Sequence, residues 1–304
     1  MRTVGELDAH ATRQALRDGG LRVATGPFNC SLRTDVAEIV PELLQLYAHH
    51  PLVPEGDMVD LHVEVAAGRG LRRWLRPQAN FRVDDVSPFT PLPRSQALPM
   101  LEWGLNWCIT AYFHHLLVLH AACLARDDQA LILPAPPGSG KSTLCAALAQ
   151  RGWRLLSDEL TLIDPRTLQV WGLARPVSLK NASIDVIRRF EPTAWLTAPV
   201  HDTAKGTVAL MAPPPASVAG MHTPATARWL VLPRYVPEAP AVLTPMPPAE
   251  AFMQIADNAM NYHILGRQGF DAVGALTDAC THHRFSYSRL DDAVRVFDDL
   301  ARGA

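Results

Sequence analysis

No stretch of this 304-residue chain approaches the roughly 20 apolar residues that a membrane-spanning helix needs, so no membrane partner is expected. The opening residues, Met1-Arg-Thr-Val-Gly-Glu-Leu-Asp8, lack the apolar segment of a secretory signal, which points to the cytoplasm. Cysteine is sparse: Cys30, Cys108, Cys123, Cys145 and Cys280 are odd in number and widely spaced, with no C-x-x-C pair. That pattern gives neither a disulfide framework nor a zinc site, and leaves them as small buried hydrophobes in a reducing compartment. Excess charge is also missing. A formal net charge of −2 provides no bulk attraction to nucleic acid or anionic membrane, so no nucleic-acid partner is expected. The one basic cluster, Arg69 to Arg76 with Arg72 and Arg73 inside it, reads as a solvated surface. There is no internal repeat, and the pairs His114-His115 and His282-His283 have no spacing that suggests metal ligation.

Hydrophobic residues make up 48% of the chain, enough for a substantial core, and its length allows two domains or one large one. Residues 1 to about 86 read as one unit, with helical stretches at 5–18 and 35–48. The polar/apolar alternation of Asp60-Leu-His-Val-Glu-Val65 predicts a half-buried strand. Trp74-Leu-Arg and Asn80-Phe-Arg-Val83 read as two more strands around Pro77. Three prolines in Ser87-Pro-Phe-Thr-Pro-Leu-Pro93 mark an extended linker. The expected division is therefore a smaller α+β accessory domain at 1–94 and an α/β domain at 95–304. The second begins with an apolar helix over about 95–117 carrying Trp103, Trp107, Tyr112 and Phe113. Strands at 117–125 and 130–133 follow, then a helix to Gln150 and a strand at 153–157. A hairpin at 160–164 and 168–173, a strand at 228–232, and helices at 249–259 and 291–302 complete the outline.

Ala135-Pro-Pro-Gly-Ser-Gly-Lys-Ser-Thr143 lies between the apolar run Ala130-Leu-Ile-Leu133 and the helical run Leu144-Cys-Ala-Ala-Leu-Ala149. Strand, glycine-rich loop and helix form the context of a phosphate-binding loop. Backbone amides of Pro137–Thr143 (Pro137 itself lending only its shape, Gly138, Ser139, Gly140, Lys141, Ser142 and Thr143 their N–H groups) would surround an anion at the positive end of the helix. Lys141 would reach the β/γ-phosphates, and the Ser142 hydroxyl would hold Mg²⁺. The pattern G-x-x-x-x-G-K-[ST] has glycine first, where this chain has Ala135. A nucleoside triphosphate or similar polyphosphate is the expected ligand.

Asp158-Glu159 ends the next apolar strand, 17 residues after Lys141, one helix and one strand on. Carboxylates at the end of a strand beside such a loop can hold a metal and orient or deprotonate a nucleophile. His120, on the strand before the loop strand, is either a satisfied core histidine or a hydrogen-bonding partner of the γ-phosphate or acceptor. Arg175, Lys180 and Lys205 are candidate cations for a transferred phosphoryl group, although isolated cations are more often surface residues.

His120-Ala-Ala, a strand, the glycine-rich loop, a helix and Arg151-Gly-Trp-Arg-Leu-Leu-Ser-Asp158-Glu159 together resemble the catalytic domain of the HPr kinase/phosphorylase family. More closely they resemble its HPr kinase-related branch, where Arg175-Pro-Val-Ser-Leu-Lys180-Asn and Asp202-Thr-Ala-Lys-Gly-Thr207 look like recurring segments. The resemblance covers about residues 117 to 210. It implies a phosphoenolpyruvate carboxykinase-like P-loop kinase core, with Asp158 as general base on a serine hydroxyl. It also implies Glu159 with Ser142 at Mg²⁺, Asp158 beside them, and His120 in the same site. Relatives often form rings, which implies a homo-oligomer. Two departures stand out. The family's C-terminal glycine-rich signature is not found, which removes the ground for naming HPr as acceptor, and Glu159 replaces the family's second aspartate.

The expected function is an ATP- and Mg²⁺-dependent kinase that phosphorylates a hydroxyl on a peptide, protein or small-molecule acceptor. The resemblance extends to kinases of ribosomally made peptides, which makes a peptide serine the reasonable target. One alternative is a nucleotide-dependent switch or scaffold with little transfer, against which the presence of Asp158 counts. Another is a carboxykinase-like enzyme, for which only Arg175 offers a carboxylate clamp.

Overall fold

The computed structural model describes residues 2–68, 70, 75–84 and 86–303. The cluster Arg69 to Arg76 and the strand expected at Trp74 fall largely on residues 69 and 71–74, outside the described residues; Leu75 and Arg76 form a bend.

The N-terminal third starts with α1 (Ala9–Asp18), whose first turn is closed by Asp8 accepting from the amides of His10 and Ala11 at 2.8 and 2.7 Å. A hairpin follows, β1 (Leu21–Thr25) and β2 (Phe28–Thr34), then α2 (Val40–Leu46), β3 (Leu61–Ala67), β4 (Gln78–Val83) and the short β5 (Leu92–Pro93). These strands make a sheet in the order β1-β2-β3-β4-β5, with β2 and β3 parallel and the other pairs antiparallel. The helix α3 (Ala97–Tyr112) lies on β3 and β4. Its buried side carries Leu98, Leu101, Leu105 and Ile109, and also the polar Glu102.

Residues 117–125, expected as one strand, are two: β6 (Leu117–Leu119) and β7 (Ala121–Arg126), broken at His120. The loop strand β8 (Gln129–Pro134), the loop, α4 (Lys141–Gln150) and β9 (Arg154–Ser157) follow, then β10 (Thr161–Ile163) and β11 (Gln169–Trp171). Next come β12 (Val177–Lys180), α5 (Ala182–Phe190), β13 (Val200–Thr203), β14 (Gly206–Met211) and α6 (Pro215–Ala219). The chain closes with β15 (Ala225–Tyr235), β16 (Val242–Pro245), α7 (Pro248–Asn258), α8 (Tyr262–Leu265), α9 (Arg267–Ala279), β17 (Thr281–Tyr287) and α10 (Leu290–Arg302). The architecture is a mixed α/β fold.

The principal sheet runs β6-β10-β11-β15-β8-β7-β9, with β17 beside the distal half of β15 and β16 beside β17. Because β6 continues into β7 through a single residue, the sheet must curl back on itself. A hydroxyl of β10 accordingly bonds across to β7, Thr161 Oγ1 to the carbonyl of Ala121 at 3.0 Å. The smaller sheet β12-β14-β13 covers one side. Helix α4, rich in alanine and leucine, is a strong helix former and is buried almost all round, against β7, α5 and α10. Among the described residues no helix is long and apolar enough to cross a membrane.

The two parts share one apolar cluster. It begins at Val4, runs through β1–β4 and α3, and includes Leu160, Leu162, Leu173, Val208 and Leu210. At the hairpin tip, Gly26 (φ +64°) sits so close to the Gly172 carbonyl that an added Cβ would stand 1.8 Å from its oxygen. Only glycine fits such an approach with a left-handed backbone.

Candidate phosphate-binding and catalytic site

Strand direction places the site. β15 pairs parallel with β8, and β17 parallel with β15. β7 runs antiparallel to both β8 and β9, so β9 is parallel to β8 as well. The C-terminal ends of β9, β8, β15 and β17 therefore share one edge. At that edge lie Asp158-Glu159, the glycine-rich loop, Tyr235 and Tyr287. Ligands of open α/β sheets bind beyond such strand ends.

Gly138 and Gly140 have φ of +85° and +90°. Ala135 has no positive φ, so alanine in place of the usual glycine costs no backbone strain there. The loop is tied down on one flank: the amide of Tyr235 donates to Ser139 O at 2.8 Å, and Tyr287 Oη donates to Gly140 O at 3.0 Å. Helix α4 starts at Lys141, so the first-turn amides of Lys141, Ser142 and Thr143 have no intrahelical acceptor. Ser142 and Thr143 are half-buried and Pro137 and Gly138 exposed.

Lys141 and Asp158 are buried at 8% and 5% relative exposure. Asp158 Oδ2 accepts from the Ser178 amide at 3.0 Å. Asp158 Oδ1, Lys141 Nζ, Ser178 Oγ and Ser139 Oγ are buried with no hydrogen-bond partner among the described residues. Burial raises the Asp158 pKa above the ordinary carboxylate range, against the pull of the Lys141 ammonium. Burial lowers the Lys141 pKa, and Asp158 and Glu159 oppose it. Unsatisfied buried polar atoms are costly unless something completes their shell.

Glu159 is arranged differently. Its Oε1 is 3.0 Å from Lys205 Nζ and its Oε2 accepts from Asn106 Nδ2 at 2.5 Å. Burial alone would raise its pKa, but Lys205 and Lys180 outweigh that and hold it ionised. Lys205 also lies over the Trp103 ring, 5.1 Å from its centroid. Lys180, half-buried at the end of β12, adds positive potential at Asp158, Glu159, Lys141 and His120. His120 is half-buried at the corner between β6 and β7, its amide donating to Asn258 O at 2.8 Å. Burial and then Lys141 bring its pKa down to about 4, so the imidazole is neutral at pH 7.

Arg175 stands apart from the other predicted cations. It is buried at 6% exposure, with Nη2 on Glu102 Oε2 and on Glu102 O, both at 2.8 Å, and Nη1 on Asn106 Oδ1 at 2.8 Å. Glu102 in turn accepts from Tyr47 Oη at 2.6 Å. Arg175 is thus a strut behind Glu159, connected to it through Asn106, and does not present a free guanidinium to the loop. A cavity of about 20 Å³, room for about one water, lies between Asp158, Glu159, Asn106, Arg175 and Ser178.

The residues not anticipated from sequence are Glu102, Asn106, Ser178, Tyr235 and Tyr287. Glu102 and Asn106 did leave a trace: two polar residues four apart in an otherwise apolar helix must share a face and find a partner there. No cluster of three or more His, Cys, Asp or Glu suited to a metal occurs among the described residues.

No protein-family model and no curated protein matches this sequence. Among solved structures, the chain is similar to an Hpr(Ser) kinase/phosphatase from Coxiella burnetii, at 11% identity and a TM-score of 0.26, over 62% of this chain and 99% of that one. A likeness of that degree carries neither fold nor function across.

Proposed function

We propose that this chain is an ATP- and Mg²⁺-dependent kinase with a P-loop core, transferring the γ-phosphoryl group to a hydroxyl, with a serine of a peptide or protein as the preferred class of acceptor. One observation supports this above the others. An ammonium and a carboxylate oxygen, both buried and unpartnered, lie together at the strand edge where a glycine loop opens onto a helix N-terminus. A polyphosphate would satisfy the ammonium and the loop amides. The carboxylate would meet the acceptor hydroxyl.

In this reading Lys141 and the amides of Gly138–Thr143 bind the β- and γ-phosphates. Asp158, its pKa raised by burial, takes the hydroxyl proton as the acceptor oxygen bonds to the γ-phosphorus. The bond from that phosphorus to the β-bridging oxygen breaks, and ADP leaves with the electron pair. Lys180 and Lys205 offset charge on the moving group, and neutral His120 hydrogen-bonds within the site. The donor set fits Mg²⁺ held in the manner of phosphate-bound magnesium, by one or two carboxylates and the phosphates rather than by a protein cage. Ser142 Oγ and the ionised carboxylate of Glu159 would hold it, since each Glu159 oxygen keeps a lone pair beyond the one its donor uses, and Asp158 Oδ1 stays free for the acceptor hydroxyl. Bound there, the ion would neutralise phosphate charge.

The test compares ATP binding by calorimetry with label transfer from γ-labelled ATP into a lysate of the source cells. Asp158→Asn should bind ATP within a few-fold of wild type and lose about 10²–10⁴-fold in transfer, the scale of a lost general base. Lys141→Ala should lose binding as well. Transfer by Asp158→Asn at the wild-type rate would refute the base assignment. ATP binding by wild type with no labelled acceptor under any condition would favour the switch reading.

A further inference from the structure

We propose that Tyr235 is the platform on which the base of the bound nucleoside triphosphate stacks, an assignment that rests on the phosphate-loop reading above. Four strands end in parallel at the site, in the order β9, β8, β15 and β17, with the antiparallel β7 between the first two. The loop follows β8. On the β9 side stand Asp158 and Glu159, and Lys141 is drawn into their field. Phosphoryl transfer belongs on that flank, since Lys141 addresses the terminal phosphates. The nucleoside must therefore leave the loop on the other flank, over the ends of β15 and β17.

That flank is aromatic. Tyr235 ends β15 and Tyr287 ends β17, and the two residues are register partners. Tyr287 is 1% exposed, and its hydroxyl holds the loop carbonyl of Gly140. Tyr235 is 50% exposed. Its ring meets Tyr287 edge-on at 6.0 Å between centroids. It also borders the loop: a Cβ added at Gly140 would lie 3.0 Å from Tyr235 Cβ. The backbone that carries the ring is anchored by its own amide on Ser139 O and by the neighbouring Val236 amide on Tyr287 O, and the ring itself packs edge-on against Tyr287. Packing alone does not call for a large ring half in water at this point. A pre-positioned aromatic beside a phosphate cradle is the arrangement that binds a base face, and stacking of this kind accepts any base.

The experiment measures binding of Mg-ATP and of inorganic tripolyphosphate to the full chain and to Tyr235→Ala and Tyr235→Phe. Tyr235→Ala keeps its backbone bond to Ser139, and thermal melting verifies that it folds. The expected result is ATP binding weakened about 10-fold in Tyr235→Ala, tripolyphosphate binding unchanged, and ATP binding in Tyr235→Phe within about twofold of wild type. Unchanged ATP binding in Tyr235→Ala overturns the assignment. So does equal loss of both ligands, which would make Tyr235 a support of the loop. Failure of wild type to bind tripolyphosphate and ATP alike would remove the phosphate-loop reading itself, and this one with it.

Discussion

Asp158 and His50 are both buried ionisable groups, and burial favours the neutral form of each, so their pKa values move in opposite directions. His50 is completely buried against Tyr47, with Nε2 3.2 Å from the Ala174 carbonyl. Burial, aided by Arg175, lowers its pKa to about 4 although the carbonyls of Ala174 and Tyr47 pull upward. Between pH 6.5 and 4 the unfolded chain takes up a proton that the folded chain refuses. Stability therefore falls as pH drops through that window, by on the order of 3 kcal/mol from this residue. His120 acts in the same direction and Asp158 in the opposite one. Denaturant unfolding of wild type and His50→Gln at pH 7.5 and pH 5 isolates the contribution, and the variant should show the shallower pH dependence. A variant as steeply pH-dependent as wild type would show that His50 does not carry it.

At the scale of elements, the loop between β8 and α4 is held by contacts that permit no side chain at Gly140. Its φ is +90°, and a Cβ would lie 2.6 Å from Tyr287 Oη and 3.0 Å from Tyr235 Cβ. Gly140→Ala should lower stability by about 1–3 kcal/mol, the cost of strain plus overpacking, and weaken tripolyphosphate binding at least as much as it weakens melting. Unchanged melting and binding would mean that the loop yields freely. The loop, α4, β9 and the two carboxylates were all legible in sequence, because strand, glycine turn and helix there are local patterns. β1 and β2 were not assigned, although Leu21, Val23, Cys30 and Leu32 alternate with polar residues around Gly26-Pro27. The break at His120 is another matter: 117–125 is apolar throughout, and nothing local distinguishes one strand from two that serve opposite ends of a curled sheet. The strand β12 escaped for a similar reason, being four residues long and paired with β14 about thirty residues on, whereas β13 and β14 form a local hairpin around Ala204-Lys205.

At the scale of the molecule, Arg175 joins the two parts. Tyr47 and Glu102 approach it from the N-terminal third and from α3, and Asn106 passes its position on to Glu159. Removing one member of a buried ion pair strands the other. Arg175→Met should cost about 3–5 kcal/mol, and Glu102→Leu/Arg175→Met together should cost less than Arg175→Met alone. Equilibrium unfolding of wild type, Arg175→Met, Glu102→Leu and the double variant decides this; a double variant with the summed loss of both singles would show that the pair is not coupled. Arg175 also illustrates what sequence cannot convey. An arginine after a hairpin reads as a surface cation, and only the fold reveals that a carboxylate from 73 residues earlier is waiting for it.

The shared cluster from Val4 to Leu210 has a consequence for how such a chain can be inherited. The N-terminal part could not be shuffled into another gene and keep its shape, because residues from 160 to 210 complete its interior. Lineages that carry it should carry the remainder as well, and limited proteolysis should release no stable fragment ending near residue 94.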